Sequence, residues 1–186
     1  MNSFYTEIEL EDIGFNKMGT NIKISRKASI YSPEKMTIGN NIRIDDFCLL
    51  NGNIELENNI YIGGFTALHG ECKIHIESFS AIASHGNIYS SSDDYSGEHL
   101  TNPTVPDIYR NSTRQVVKIG RHAIIGASCV LLPGGIVGEG TSVGSMSLIN
   151  TSLPPWTICV GIPARPIKKR SNRILELEKM YLSGKE

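Results

Sequence analysis

Seventeen aliphatic residues in this chain stand on a six-residue grid, a period that very few folds can use. They are Ile24, Ile30, Ile38, Ile44, Leu50, Leu56, Ile62, Leu68, Ile76, Ile82 and Ile88, then Ile119, Ile125, Leu131, Val137, Val143 and Ile149. Six are followed directly by glycine, at Gly39, Gly63, Gly120, Gly126, Gly138 and Gly144. A period of six is neither the 3.6 of a helix nor the 2 of a simple strand. It belongs to a solenoid in which each hexad makes one short strand and its turn, and three hexads close a triangular coil. The position four residues past the aliphatic agrees, because Ala28, Cys48, Thr66, Cys72, Ser80, Ala123, Cys129, Gly135, Thr141 and Ser147 are nearly all small. A triangular prism has room only for small side chains at its corners, while the aliphatic set fills its middle. The pattern predicts an all-β solenoid, a parallel β-helix, with a short helix near each end.

The same grid divides the chain. Two steps are eight residues long, Ile30 to Ile38 and Leu68 to Ile76, which reads as a two-residue bulge at a corner. Between Ile88 and Ile119 about thirty residues leave the grid. Residues 22–88 give roughly four coils and 119–149 about two more. At ~4.8 Å per coil the prism is about 25–30 Å long. The expected organisation is an N-terminal capping segment over 1–21, a β-helix domain over 22–168 with a looped-out segment at about 89–117, and a C-terminal helix within 169–186. Residues 3–12 read as a short acidic helix ended by Gly14, with Thr6 and Glu9 spaced for a capping box. That helix covers the first coil, whose open end would expose unpaired strand edges. Residues 171–182 read as an amphipathic helix with Ile174, Leu175, Leu177 and Leu182 near one face.

With 186 residues the chain is long enough for one domain with a real core. Its net charge of −1 gives no field that would draw nucleic acid or an anionic membrane. No stretch approaches the ~20 apolar residues of a membrane span. The N-terminus lacks the basic and apolar regions of a signal peptide, so a cytoplasmic protein is expected. Four cysteines with no C-x-x-C carry no zinc or redox signature. Cys48, Cys72 and Cys129 fall on the small corner position and read as buried small residues.

The hexad grid, the looped-out insertion and the segment Gly161-Ile162-Pro163-Ala164-Arg165-Pro166-Ile167-Lys168 together resemble the hexapeptide-repeat acyltransferases, in particular their galactoside and maltose acetyltransferase branch. Within it, Asp93-Asp94-Tyr95-Ser96-Gly97 with Thr101-Asn102-Pro103-Thr104-Val105-Pro106 is similar to enzymes that acetylate sugars for O-antigen or capsule. The resemblance implies a left-handed β-helix, an exception to the usual right-handed crossover. It implies a homotrimer of parallel prisms with active sites between subunits, and acetyl-CoA as co-substrate in a groove along the C-terminal coils. Ala127 and Ser145 match positions that face the pantetheine arm. Asn150 and Thr151 match a family Thr-Lys pair near the cofactor, although the lysine is missing here. Arg165 and Lys168 match basic positions that meet the nucleotide phosphates, and Trp156 matches a place near the adenine or at a trimer contact.

A structureless excursion of about thirty residues is rare inside a compact domain and is usually functional, and this one holds Ser90, Ser91, Ser92, Asp93, Asp94, Tyr95, Glu98 and His99. Direct acyl transfer needs a base for the acceptor proton and donors for the thioester oxyanion. The resemblance implies a histidine base early in the loop, yet the matching position here is Asp94. An ordinary aspartate, with a pKa near 4, is a poor base for a sugar hydroxyl. Three readings follow. Crowding or desolvation raises the pKa of Asp93 or Asp94; or an aspartate orients His85 or His99 as base; or the acceptor is an amine that needs less help. The candidate catalytic cluster is His85, Asp93, Asp94 and His99, with His85 favoured because it sits on the prism just before the loop departs. The resemblance implies an acetyltransferase that moves acetyl from acetyl-CoA to a hydroxyl, or an amine, of a sugar or nucleotide sugar in O-antigen or capsule biosynthesis, with O- and N-acetylation both open.

Two other classes compete. With His69, His75, His85 and His122, a γ-carbonic-anhydrase-like metal enzyme comes to mind, but spacings of 6, 10, 14 and 23 residues do not match that site, so no metal is expected. A non-catalytic β-helix scaffold is the other. The paired basic residues near the C-terminus and the inserted loop argue against it.

Overall fold

Short parallel strands, most of them two or three residues long, stack into three faces of a triangular prism. The structure is a computed structural model and describes residues 3–184. Met1, Asn2, Lys185 and Glu186, which belong to the predicted terminal segments, lie outside the described residues. We name the faces A, B and C in the order the chain meets them after residue 21. Face A stacks Ile22–Ile24, Ile42–Ile44, Ile60–Ile62, Ala81–Ile82, Ile124–Ile125, Ser142–Val143 and Thr157–Gly161. Face B begins with Ser29–Tyr31 and continues through the first part of Leu49–Leu56 and of Ala67–Ile76. It then takes in Asn87–Tyr89, Val130–Leu131 and Leu148–Ile149. Face C holds Met36–Ile38, the later parts of the two long strands, Val117–Ile119 and Ile136–Val137.

The grid explains this register. Of the seventeen grid aliphatics, all but Ile30 are at most 2% exposed, and they form one continuous core. Each aliphatic packs on its equivalent one coil away, as Ile44 on Ile62 and Leu50 on Leu68 do in register. The small corner residues have a second use, because several donate to a corner carbonyl. Cys48 Sγ donates to Gly63 O, Cys129 Sγ to Gly144 O, Ser80 Oγ to Gly120 O and Thr141 Oγ1 to Pro154 O. A buried carbonyl left alone would cost free energy. Burial also pushes the Cys48 and Cys129 thiols up, away from the reactive thiolate.

Three departures from expectation have local causes. Face A has seven strands rather than the six coils that the grid counts, because Thr157–Gly161 adds a coil in which Cys159 occupies the aliphatic position. The excursion is not structureless: Ser91–Ser92 pairs antiparallel with Thr113–Arg114 at its neck, and a 3₁₀ turn covers Asp107–Tyr109. The N-terminal helix runs Glu7–Ile13 and not from residue 3, since Thr6 is its N-cap in a capping box with Glu9, and Gly14 ends it at φ +82°. Buried Leu10 of that helix belongs to the core cluster. The C-terminal helix, Ile174–Leu182, lies against the corner between faces C and A. Glu178 reaches His122 Nε2 at 2.6 Å and also pairs with Arg121. Tyr181 stands edge-on to Phe79. Leu182 stays exposed. No helix among the described residues is long and apolar enough to cross a membrane.

Candidate active site

Trp156 aside, the sequence-predicted residues fall on two corners of the prism. Between faces A and B, successive coils set residues in a hydrogen-bonded column: His85 N donates to Gly64 O, Ser128 N to Ser84 O, and Met146 N to Ala127 O. Ser84, Ala127 and Ser145 thereby occupy equivalent places on three consecutive coils. At the C-terminal end of this column the Val160 side chain lies against Gly144, and Arg165 pairs with Val160 across the hairpin formed by Thr157–Gly161 and Ala164–Lys169. Lys168 follows on the same hairpin strand, opposite Ile158, and both basic side chains are exposed. One corner thus carries Ser84, Ala127, Ser145 and Arg165 in a line parallel to the prism axis.

His85 shares this corner but not the company predicted for it. It sits in the left-handed region at φ +63° and stacks on Phe65 at 5.0 Å, which in turn stacks on Phe47. Asp93, Asp94 and His99 are elsewhere, on the excursion that leaves the corner between faces B and C. Trp156 is on a third corner, its ring packed where a Cβ of Gly140 would point.

Within the excursion each aspartate has its own partners. Asp94 Oδ1 accepts from Ser96 N at 2.8 Å, and Oδ2 accepts from Ser96 Oγ, from His99 N and from His99 Nδ1 at 3.0 Å. These donors hold its carboxyl down to about 2, the backbone and hydroxyl of Ser96 contributing most. Asp93 accepts from Asn102 N, Arg110 and Ser112 Oγ, which lower its pKa as well. The crowding that would raise one of these pKa values is therefore replaced by two separate sets of donors. Arg110 also reaches Asp107, so one guanidinium ties the arms of the loop together. Asp93 and Asp94 line a hollow of about 360 Å³ with Ser92, Tyr95, Leu132 and Asn150. Asn150 therefore stands by the loop and not in the line of Ala127 and Ser145, and Thr151 is the next residue of the chain.

The remaining histidines are dispersed. His69 is on face B stacked on Tyr89, His75 on face C bonds Glu57 at 3.0 Å, and His122 is buried against Glu178. No group of three metal-ligating side chains that could hold an ion occurs among the described residues. Ser84 gives no signal in the sequence, because it stands two residues past Ile82, a place where other coils carry Arg26, Asp46, Gly64, Arg121 and Glu139 and the repeat imposes no residue type. Only its place in line with Ala127 and Ser145 marks it.

No protein-family model matches the chain. Among curated proteins it is 41% identical over 182 residues to dTDP-4-amino-4,6-dideoxy-D-glucose acyltransferase of Escherichia coli, covering 96% of this chain and 95% of that protein. It is 26% identical over 162 residues to the putative lipopolysaccharide biosynthesis O-acetyl transferase WbbJ of E. coli K12, covering 84% and 80%. Solved structures of AntD, an N-acyltransferase from Bacillus cereus, superpose with a TM-score of 0.96 at 44–45% identity, covering 99% of this chain and 100% of that one. They include a D94A mutant with dTDP and coenzyme A, and an S84A mutant with dTDP-4-amino-4,6-dideoxyglucose and coenzyme A. Likeness at this level over nearly the whole length shows that the chain belongs to the left-handed β-helix sugar acyltransferases, enzymes that take their acyl group from coenzyme A.

Proposed function

We propose that the enzyme transfers an acyl group from acyl-CoA to the amine of a nucleotide-linked amino sugar, of the dTDP-4-amino-4,6-dideoxyhexose class. The observation that carries this reading is the state of Asp94. A hydroxyl acceptor needs a base that takes its proton in the transition state, and a carboxyl held at about 2 binds a proton far too weakly for that. An amine makes no such demand. Asp94 Oδ1 accepts a single hydrogen bond, so it keeps a lone pair for an acceptor N–H. The amine nitrogen bonds to the thioester carbonyl carbon, the carbon–sulfur bond breaks, and the amine proton passes to the departing sulfur. Asp94 orients the nitrogen and offsets the positive charge that grows on it. The relationship to AntD supports the pairing of Asp94 with Ser84, since residues of these types stand at the same numbers in two chains that cover each other almost end to end.

For the acyl donor we assign Ala127 and Ser145 to the pantetheine arm and Arg165 and Lys168 to the phosphates, which suits their line along one corner. Asn150 serves the loop hollow, with Thr151 beside it in the chain. Ser84 and Asp94 occupy different corners of one prism, so a complete site needs the first corner of one copy against the loop of the next. Phe47, Phe65 and Met146 expose 52%, 54% and 70% of their surface on that first corner and supply the apolar contact. A homotrimer of parallel prisms follows, working in the cytoplasm where acyl-CoA and nucleotide sugars are available. Light scattering should give about three times the 20.4 kDa chain mass, and an active monomer would refute it.

The contact between Asp94 and His99 favours one second reading, hydroxyl acylation with a histidine as base. Turnover of dTDP-4-amino-4,6-dideoxyglucose against dTDP-glucose separates the two. The amine reading expects activity with the first alone, a large fall in kcat for Asp94→Ala, and His85→Ala and His99→Ala within a few-fold of the parent. A loss of roughly 10²–10⁴ in either histidine variant would assign the base to that histidine.

A further inference from the structure

The corner between faces C and A lies apart from the two that carry the donor line and the excursion, and it holds a hollow of about 540 Å³ beneath the C-terminal helix. That volume is within the usual range of small-molecule sites, ~300–1,000 Å³. The walls are largely apolar, with Phe79, Ala81 and Ile124 from the prism and Ile174, Leu177 and Tyr181 from the helix. Glu178 pins the helix to His122 and Arg121. Ile124 and Leu177 nevertheless keep 42% and 51% of their surface exposed, so the helix does not close on the prism. None of the roles assigned above uses this space.

Arg170, which also lines the hollow, gives it a sign. Its Nη1 donates to His122 O at 2.9 Å and to Gly140 O at 3.0 Å, which fixes the plane of the guanidinium. Among the described residues, Nε and Nη2 have no protein partner and no carboxylate pairs with Arg170. Those two nitrogens form one edge of the guanidinium, an edge that can hold a carboxylate through two parallel hydrogen bonds. Burial with nothing to offset it pushes the Arg170 pKa below the usual guanidinium value, yet the group stays charged near pH 7. Glu178, the only acid among the lining residues, is already taken up by His122 and Arg121. Burial and the two neighbouring guanidiniums push the His122 pKa down, so its ring is neutral near pH 7. Two guanidiniums against one carboxylate leave one positive charge in excess, at Arg170.

We propose that this hollow is a second small-molecule site, for an anion with an apolar body such as an alkyl carboxylate: the carboxylate takes the Nε–Nη2 edge of Arg170 and the chain lies along Phe79, Ile124 and Leu177. The probe is octanoate, titrated calorimetrically into the intact enzyme saturated with coenzyme A, with 1-octanol titrated in parallel. Octanoate should bind roughly ten-fold or more tightly than octanol. Arg170→Gln should bind the two alike, whereas Arg170→Lys should keep the preference for octanoate. Ile124→Glu, a change at an exposed wall position that sets a carboxylate in the hollow, should weaken octanoate roughly ten-fold or more and leave acyl transfer parent-like. Equal affinity of the parent for octanoate and octanol, or parent-like octanoate binding in Ile124→Glu, would overturn the site. Octanoate that binds only when coenzyme A is left out would overturn it as well, since the anion would then occupy the donor groove. Light scattering that shows an assembly split by Ile124→Glu would do the same, because a second copy of the chain would then cover the hollow.

Discussion

Gly140 lies beneath the indole of Trp156, and replacing it with alanine tests how the prism holds the hairpin that carries Arg165 and Lys168. The residue has φ +63°, and an added Cβ would stand 2.4–2.6 Å from three ring atoms of Trp156. Two costs follow. A side chain in the left-handed region costs about 1–2 kcal/mol. Forcing the indole aside adds about 1–3 kcal/mol, the usual range for an overfilled site, so the sum is about 2–5 kcal/mol. Gly14→Ala supplies the internal control, since its φ is +82° but nothing lies within 4 Å of the added carbon. It should cost only the conformational part, about 1–2 kcal/mol. Urea unfolding of both variants at one fixed protein concentration measures the difference. Trp156 is the single tryptophan, so its emission reports the displaced ring directly. Arg170 N donates to Trp156 O, and Arg170 Nη1 donates to Gly140 O and His122 O, so both ends of the hairpin feel the shift. KM for acyl-CoA should therefore rise several-fold with little change in kcat. Equal destabilisation by the two alanines, with unaltered emission, would refute the steric part of this reasoning.

Three further outcomes are expected. Arg165→Ala combined with Lys168→Ala should raise KM for acyl-CoA and spare that of the acceptor; dephospho-CoA should reproduce part of the loss in the parent and add little in the variant, and equal discrimination by both would show that the pair reads something else. Because the Asp94 carboxyl is lowered from 3.8 to about 2, its contribution to loop order is fully present above pH 4 and is lost as pH falls through about 2; amide exchange in residues 93–102 should stay slow from pH 8 to pH 5 and accelerate toward pH 2 sooner than in the core, and uniform protection down to pH 2 would contradict it. Glu178→Ala leaves buried His122 and its neighbour Arg121 without their carboxylate, so the C-terminal helix should loosen by about 1–3 kcal/mol, seen as earlier proteolysis near residue 174 with kcat unchanged.

The prism was legible because a solenoid repeats its own environment. Ile62 packs between Ile44 and Ile82, and each of those sits in the same surroundings one coil away, so selection for one shape writes the same residue type every six positions. The seventh coil escaped the grid for a related reason. Leu153 pairs with Val137 only four residues after Ile149, and Cys159 takes the inward position six residues later, so the period is kept but its phase and its aliphatic marker are lost. The capping box at Thr6 and Glu9 was readable from spacing alone, being a contact within one helical turn.

Chemistry in such a fold must sit where the repeat is interrupted, and there the sequence has no periodicity to read. Asp93 meets Arg110 across seventeen residues and Glu178 meets His122 across fifty-six, contacts that occur once each and imitate no neighbour. The amino-acid pattern located the excursion that holds Asp94, because thirty residues without a grid point are conspicuous, but it held no sign of which donors would keep that carboxylate ionised. At Ser84 the difficulty is reversed. The repeat leaves the position two past its aliphatic open to residues from Gly64 to Arg121, so a serine with a task and a serine that only fits are the same letter, and only the column it shares with Ala127 and Ser145 tells them apart.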